Sequence, residues 1–360
     1  MAGTSIGAEV LKLPTVREAT LYEKLGGSRV KCGLCERRCL IEEGGAGFCR
    51  TRANVGGKLY TLVYGDVSAL ESRPIEIKPF FHYWPGSTAL TFSTWSCNFK
   101  CPWCQNHALS RGLPSLDPSR FTPPERLVEE ALRRGDEGLC VSFQEPTLFF
   151  ESAVECFKLG AAKGLYCCFV SNGYMTLGAL RMLKESGLDG LKVDVKGGEG
   201  VYERYCGGVK ADVVWRNARV AKELGIHVEV VNLIVTGVND DESDILELAE
   251  KHVKELGPNA PIHFTRYFPA YRFSNPPTKL ETLEKAYRLA RKAGAKFVYL
   301  GNVPGHPLEN TYCPRCGFKL IERFAHGIVK CNLTKDNKCP KCGSEIPIAG
   351  KVILKRKRLL

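Results

Sequence analysis

Between residues 89 and 300 the chain alternates short apolar runs with amphipathic stretches, a pattern few architectures accept. Apolar runs fall at 89–94, 139–143, 167–171, 190–195, 227–235, 261–265 and 296–300. Helical patterns lie between them, at 123–134, 149–163, 176–185, 212–224, 241–256 and 280–293. Pro123, Pro124 and Glu125 suit a first helical turn, and Gly164, Gly187 and Gly225 are placed to close later helices. Repeated β-then-α units imply parallel strands joined by crossover helices, hence an α/β barrel or open α/β sheet.

The first strand runs directly into Cys97, Cys101 and Cys104, spaced C-x3-C-x2-C. Three thiolates on one short loop can hold three irons of a [4Fe-4S] cluster, whereas electron carriers use four cysteines. The fourth iron is then open to a substrate or cofactor, which implies catalysis more than electron storage. Zinc is the competing reading, but a structural zinc closes with a fourth ligand. The nearest candidate for that ligand is His107.

In parallel barrels the chemistry lies at the C-terminal strand ends, and the unusual residues fall there. The second strand ends in Ser142-Phe143-Gln144-Glu145-Pro146-Thr147 and the third in Ser171-Asn172-Gly173-Tyr174. The fourth ends in Asp194-Val195-Lys196, and the sixth carries His263. Buried parallel strands are normally apolar, so Glu145, Asp194 and Lys196 together suggest a mixed-charge cup for a zwitterion. His263 could equally be a satisfied barrel histidine.

The cysteine loop resembles the signature of the radical S-adenosylmethionine (radical SAM) enzymes, with Trp103 in the aromatic place before the last cysteine. The resemblance implies a partial (β/α)6 barrel and a [4Fe-4S] cluster whose open iron is chelated by S-adenosylmethionine. It also implies a 5′-deoxyadenosyl radical that abstracts hydrogen from a substrate. Gln144-Glu145-Pro146 is similar to the family's glycine-glycine-glutamate-proline motif, which binds the cofactor's amino group, with Phe143-Gln144 where glycines often stand. Asp194-Val195-Lys196 resembles the Asp-x-Lys of glycyl-radical-enzyme activases, and Pro261-Ile262-His263 their proline-x-histidine. Asn172, beside these motifs, joins Trp103, Glu145, Asp194, Lys196 and His263 as a cofactor-binding candidate.

Two further cysteine modules flank the alternating region. Cys32, Cys35, Cys39 and Cys49, spaced C-x2-C-x3-C-x9-C, could close around zinc or a second cluster. Cys313, Cys316, Cys339 and Cys342 form two C-P-x-C-G knuckles, a zinc-ribbon pattern. The polar run 334–338 is expected to form the ribbon's hairpin tip. The spacing divides the chain into 1–84 with the four-cysteine module, 85–305 as barrel, and 306–360 as ribbon with a basic tail.

Seventeen cysteines in such a chain read as metal ligands, not disulfides. No apolar run reaches spanning length, and no leader pattern opens the chain, so a cytoplasmic protein without membrane partners is expected. The formal charge of +12 invites a nucleic-acid reading. Metal-bound thiolates would lower it, however, and part of it sits in the tail residues Lys351, Lys355, Arg356, Lys357 and Arg358, which a solvated end explains.

Taken with the segments 64–79, 85–87, 263–271, 301–305 and 310–317, these motifs resemble the radical SAM component of the AmmeMemoRadiSam system, related to pyruvate formate-lyase activating enzymes. That resemblance implies Memo-family and AMMECR1-family partners, and a ferredoxin or flavodoxin as electron donor. The expected function is hydrogen abstraction from a protein or peptide. RNA or small-molecule modification is the alternative, and a non-catalytic zinc scaffold a further one.

Overall fold

A computed structural model describes residues 6–354, so Lys355, Arg356, Lys357 and Arg358 of the basic tail lie outside the described residues. The seven expected strands form within two residues of their expected bounds. They are β1 (Thr88–Ser93), β2 (Gly138–Val141), β3 (Tyr166–Ser171), β4 (Gly190–Asp194), β5 (His227–Ile234), β6 (Ile262–Arg266) and β7 (Val298–Gly301). The six expected helices are α1 (Pro124–Arg134), α2 (Phe150–Ala162), α3 (Leu177–Glu185), α4 (Ala211–Glu223), α5 (Glu242–Leu256) and α6 (Leu280–Lys292). The class is therefore α/β, as the alternation requires.

Local chemistry explains the boundaries. Pro124 opens α1, and its buried face is Leu127, Val128 and Ala131, at helical spacing. Thr176 caps α3 by accepting a hydrogen bond from the Ala179 N–H at 3.2 Å. Gly164, Gly187 and Gly225, just past α2, α3 and α4, all take positive φ, which a side chain would resist.

The chain forms two compact units, cut at places other than the boundaries expected from metal-ligand spacing. Among the described residues, one contains 6–72 and 90–189, the other 73–89 and 190–354. In the first, β1, β2 and β3 are successive neighbours, and β2 pairs parallel to β3 with Leu139 opposite Cys167. All of β2 is buried. Two small antiparallel sheets precede them: Tyr22–Lys24 with Val30–Cys32 and Leu40–Ile41, and Arg17–Glu18 with Lys58–Thr61 and Arg52–Val55. The buried Arg52 fixes this module to α2 through a bidentate pair with Glu151, both contacts at 2.7 Å.

In the second unit β4, β5, β6 and β7 pair parallel in chain order. Its C-terminal part is a three-stranded antiparallel sheet of Thr311–Tyr312, Lys319–Phe324 and Gly327–Cys331. That sheet buries Leu320 and Ile321 in a cluster with Phe81, Phe297 and Tyr299. Each such fully buried side chain contributes roughly 1.5–3 kcal/mol.

The hairpin tip differs from the expectation. It lies at Ala325-His326, both at positive φ, while 334–338 forms a separate turn closed by the Thr334 N–H donating to the Lys338 carbonyl. Among the described residues no helix is long and apolar enough to cross a membrane.

Candidate active site and metal centres

The three-cysteine loop is held at both ends. Ser96, at φ +72°, donates its N–H to the Leu109 carbonyl at 2.9 Å, closing the segment on itself. Beyond Cys104, Asn106 Nδ2 donates to the Phe143 carbonyl at 2.6 Å, which fastens the loop to the end of β2. Inside the loop the Phe99 N–H points at Cys97 Sγ at 3.3 Å, and Cys104 Sγ lies 3.2 Å from Ser110 Oγ. Trp103 is buried, and His107, the conceivable fourth zinc ligand, is exposed.

The exits of β2 and β3 meet this loop. Glu145 is 2% exposed and accepts four hydrogen bonds, three of them on one oxygen. Its Oε1 accepts from Thr147 N–H (3.1 Å), Thr147 Oγ1 (2.5 Å) and Ser171 Oγ (2.8 Å), and its Oε2 from the Asn172 N–H (2.9 Å). Burial raises the Glu145 carboxyl above the usual range against these hydrogen bonds. Asn172 then turns its amide outward, donating to Asn98 Oδ1 at 2.7 Å with Cys97 Sγ 3.8 Å away. The structure thus brings Cys97, Glu145 and Asn172 into one constellation.

Phe143 takes φ +71°, a conformation that glycine adopts freely. This is the position where the resembling motif often has glycine. The turn is kept, and the strain of a bulky residue there is of order 1–3 kcal/mol. Next to it, both polar atoms of the buried Gln144 amide lack partners. An orphaned amide beside a cysteine loop and a carboxylate fits a polar ligand that completes its hydrogen bonds.

In the other unit, Asp194 is held between two lysines, Lys192 Nζ at 2.5 Å and Lys196 Nζ at 3.4 Å. Burial alone would raise its carboxyl, but the two cations outweigh that and hold it below the usual value. Strand register sets Asp194 level with Val231, and Val231 level with His263, so the three stand on one face. His263 Nε2 lies 2.7 Å from Glu229 Oε2, and its Nδ1 has no partner. Glu229 is itself completely buried, and Oε1 also accepts from the Phe81 and His82 N–H groups and pairs with His227. Burial works against its ionisation, yet these partners hold its carboxyl well below the usual range. A carboxylate only accepts, so the shared proton sits on His263 Nε2.

Lys192 and Glu229 were not singled out from the sequence. The signal was available: both are charges inside otherwise apolar strand runs, the same anomaly that marked Asp194.

The C-terminal cysteines gather as their spacing requires. Sγ atoms of Cys313, Cys316, Cys339 and Cys342 lie within 4.8 Å of one another, with Cys313–Cys342 at 3.5 Å and Cys316–Cys339 at 3.6 Å. Such a group can hold a metal ion. Cys32, Cys35, Cys39 and Cys49 line a separate cavity in the first unit. None of the seventeen cysteines is in a disulfide.

The model of the Radical SAM superfamily matches residues 93–252, the span from the end of β1 into α5. The chain is 40% identical to an uncharacterized protein of Methanocaldococcus jannaschii over 335 residues, 92% of this chain and 99% of that one. Among solved structures it is similar to a radical SAM methyltransferase from Sphaerobacter thermophilus, at 14% identity and TM-score 0.45, covering 81% of this chain and 79% of that one. It is also similar to a domain of pyruvate-formate lyase-activating enzyme from Bacteroides vulgatus, at 18% identity and TM-score 0.39, covering 46% of this chain and 99% of the domain.

Proposed function

We propose that this chain, which belongs to the radical SAM superfamily, is an enzyme that cleaves S-adenosylmethionine and uses the resulting radical on a protein or peptide. Membership in the superfamily implies a [4Fe-4S] cluster and S-adenosylmethionine. When bound, that pair supplies a one-electron cleavage of the sulfonium–carbon bond and a 5′-deoxyadenosyl radical for hydrogen abstraction.

The observation that carries the reading is the link from Cys97 through Asn172 to Glu145. Cys97, Cys101 and Cys104 would hold three irons. Glu145, kept in place by Thr147 and Ser171, would accept from the cofactor's amino group, and Asn172 fixes the distance between that carboxylate and the loop. Gln144 offers both a donor and an acceptor to a polar ligand. Asp194, Lys196 and His263 are assigned to the same cofactor on the strength of the sequence motifs. Lys196, charge-paired with Asp194, would meet a carboxylate, and the unpartnered Nδ1 of His263 would accept from a hydroxyl.

On this reading residues 1–84 and 306–360 are metal modules flanking a catalytic body at 85–305. The C-terminal four cysteines take zinc, whose Zn–S bonds of about 2.3 Å suit sulfurs drawn this close. The surroundings are cytoplasmic, the reductant is a ferredoxin or flavodoxin, and Memo-family and AMMECR1-family proteins are the partners. Activase-like motifs favour a macromolecular target.

The target class is tested with perdeuterated cell extract, divided into protein, RNA and small-molecule fractions. Each is incubated with the reconstituted, reduced enzyme and unlabelled S-adenosylmethionine. Deuterium in 5′-deoxyadenosine from the protein fraction is expected. Deuterium only from the RNA or small-molecule fraction would replace the protein target with that class.

A further inference from the structure

The N-terminal cysteines present a built site that the proposed chemistry does not use. Cys32, Cys35, Cys39 and Cys49 line one small cavity, together with Arg37, Arg52 and Asn98. Cys32, Cys35 and Cys49 are buried and Cys39 is half-buried. The hairpin bond from the Cys32 N–H to the Cys39 carbonyl (2.9 Å) sets two of them side by side. The Phe48 N–H donates to Cys39 Sγ at 3.4 Å, and Cys49 Sγ lies 3.2 Å from Thr51 Oγ1. Donors directed at sulfur are what a thiolate needs.

Two buried donors stand on the cavity wall, and one of them has nothing to donate to. Arg52, 1% exposed, spends its Nη groups on Glu151 and Leu148, and its Nε has no partner. Asn98 is completely buried; its side chain hydrogen-bonds to Cys35 on the cavity wall, while its Oδ1 accepts from Asn172. Leaving a buried donor unmade costs about 1–3 kcal/mol. One such donor on a wall of four cysteines, with the Asn98 side chain already turned to one of them, indicates an anionic occupant.

The spread of the sulfurs tells which kind. Among the described residues, only the C-terminal four draw their sulfurs within 4.8 Å of one another. One zinc at about 2.3 Å from each sulfur needs that closeness. A cubane cluster bonds each thiolate to a different iron and holds the sulfurs further apart.

We infer that Cys32, Cys35, Cys39 and Cys49 bind a second [4Fe-4S] cluster, which feeds electrons to the Cys97 loop. Asn98 joins the two places: its side chain lines the cavity, and its main chain continues from Cys97. Arg37, between Cys35 and Cys39, donates Nε to the Asn98 carbonyl at 2.5 Å. A low-potential one-electron carrier such as flavodoxin reduces this cluster from 2+ to 1+. The electron then passes on toward Cys97, and the 2+ state returns with no bond broken and no proton moved. The feeding role rests on the function proposed above, whereas the site itself does not.

The test uses the full chain carrying Cys97→Ala, Cys101→Ala and Cys104→Ala, reconstituted without air with iron and sulfide. About four irons per chain and a paramagnetic signal after dithionite are expected, against about eight irons in the unaltered chain. No iron in this variant, with two zincs per chain, overturns the second cluster. Equal iron in the variant and the unaltered chain would instead contradict the catalytic cluster and leave the second one standing. A Cys35→Ser/Cys39→Ser variant keeps the Cys97 loop and should lose about half of the iron. Dithionite should still reduce its remaining cluster and flavodoxin should not. Undiminished iron overturns the site, and undiminished reduction by flavodoxin overturns the feeding role.

Discussion

Asn172 Nδ2 donates to Asn98 Oδ1 at 2.7 Å, and this bond ties the end of β3 to the residue that follows Cys97. The Asn172 main chain meanwhile donates to Glu145. A single residue thereby fixes the carboxylate relative to the loop, and changes at either end should show in cofactor binding before they show in folding.

Glu145→Gln removes the negative charge while keeping the shape. Hydrogen bonds to charged groups contribute about 1.5–3 kcal/mol, so affinity for S-adenosylmethionine should fall on the order of 10- to 100-fold. Calorimetric titration of the reconstituted variant measures this, with iron content as the control. Unchanged affinity at full iron content would remove Glu145 from the cofactor site.

The Arg52–Glu151 pair holds the N-terminal module to α2 from within the core. Glu151→Leu leaves Arg52 buried without a counter-ion and should cost about 3–5 kcal/mol in urea unfolding. Adding Arg52→Met should recover most of that loss. A double variant as unstable as the single one would show that the pair is not what the fold loses.

Glu76 is 2% exposed, accepts the Gly86 N–H at 2.7 Å through Oε1, and leaves Oε2 unpartnered. Burial pushes its carboxyl up to about 7. The folded state therefore holds a proton that the unfolded chain releases near pH 4.5. The stabilisation is complete below that pH and is lost as pH rises through about 7, a change of roughly 3 kcal/mol. Melting temperature followed from pH 5 to pH 8 should decline more steeply in the unaltered chain than in Glu76→Gln, and parallel slopes would contradict this.

Cys339 lies at the junction of metal and core, buried with Phe81, Phe297 and Tyr299. Because metal binding at such a site is also folding free energy, Cys339→Ser should lose one zinc per chain and lower the melting temperature. An unaltered zinc count would show that the C-terminal four cysteines do not act as one site.

The strands and helices were legible because period and punctuation agree: α1 has Pro124 at its start and Leu127, Val128 and Ala131 on one face. The constellation around Cys97 was legible because charged and amide side chains stand out at the ends of apolar runs. What was missed follows a physical pattern. The hairpin tip at Ala325-His326 uses two residues that take positive φ only at a cost, so the polar run 334–338 drew the assignment instead. Glu229 escaped because its partners, His227, His263 and the Phe81 and His82 N–H groups, are mostly distant in sequence. For the N-terminal cysteines, spacing leaves the metal open, and it is the width between sulfurs and the orphaned Arg52 Nε that favour a cluster.

The most direct test of the central claim is 5′-deoxyadenosine release from S-adenosylmethionine by the anaerobically reconstituted, dithionite-reduced chain, beside Cys101→Ala. Release by the unaltered protein, and its loss in the variant with the fold intact, is the predicted result. No release from a chain carrying its full iron, or equal release by Cys101→Ala, would contradict radical chemistry at this loop.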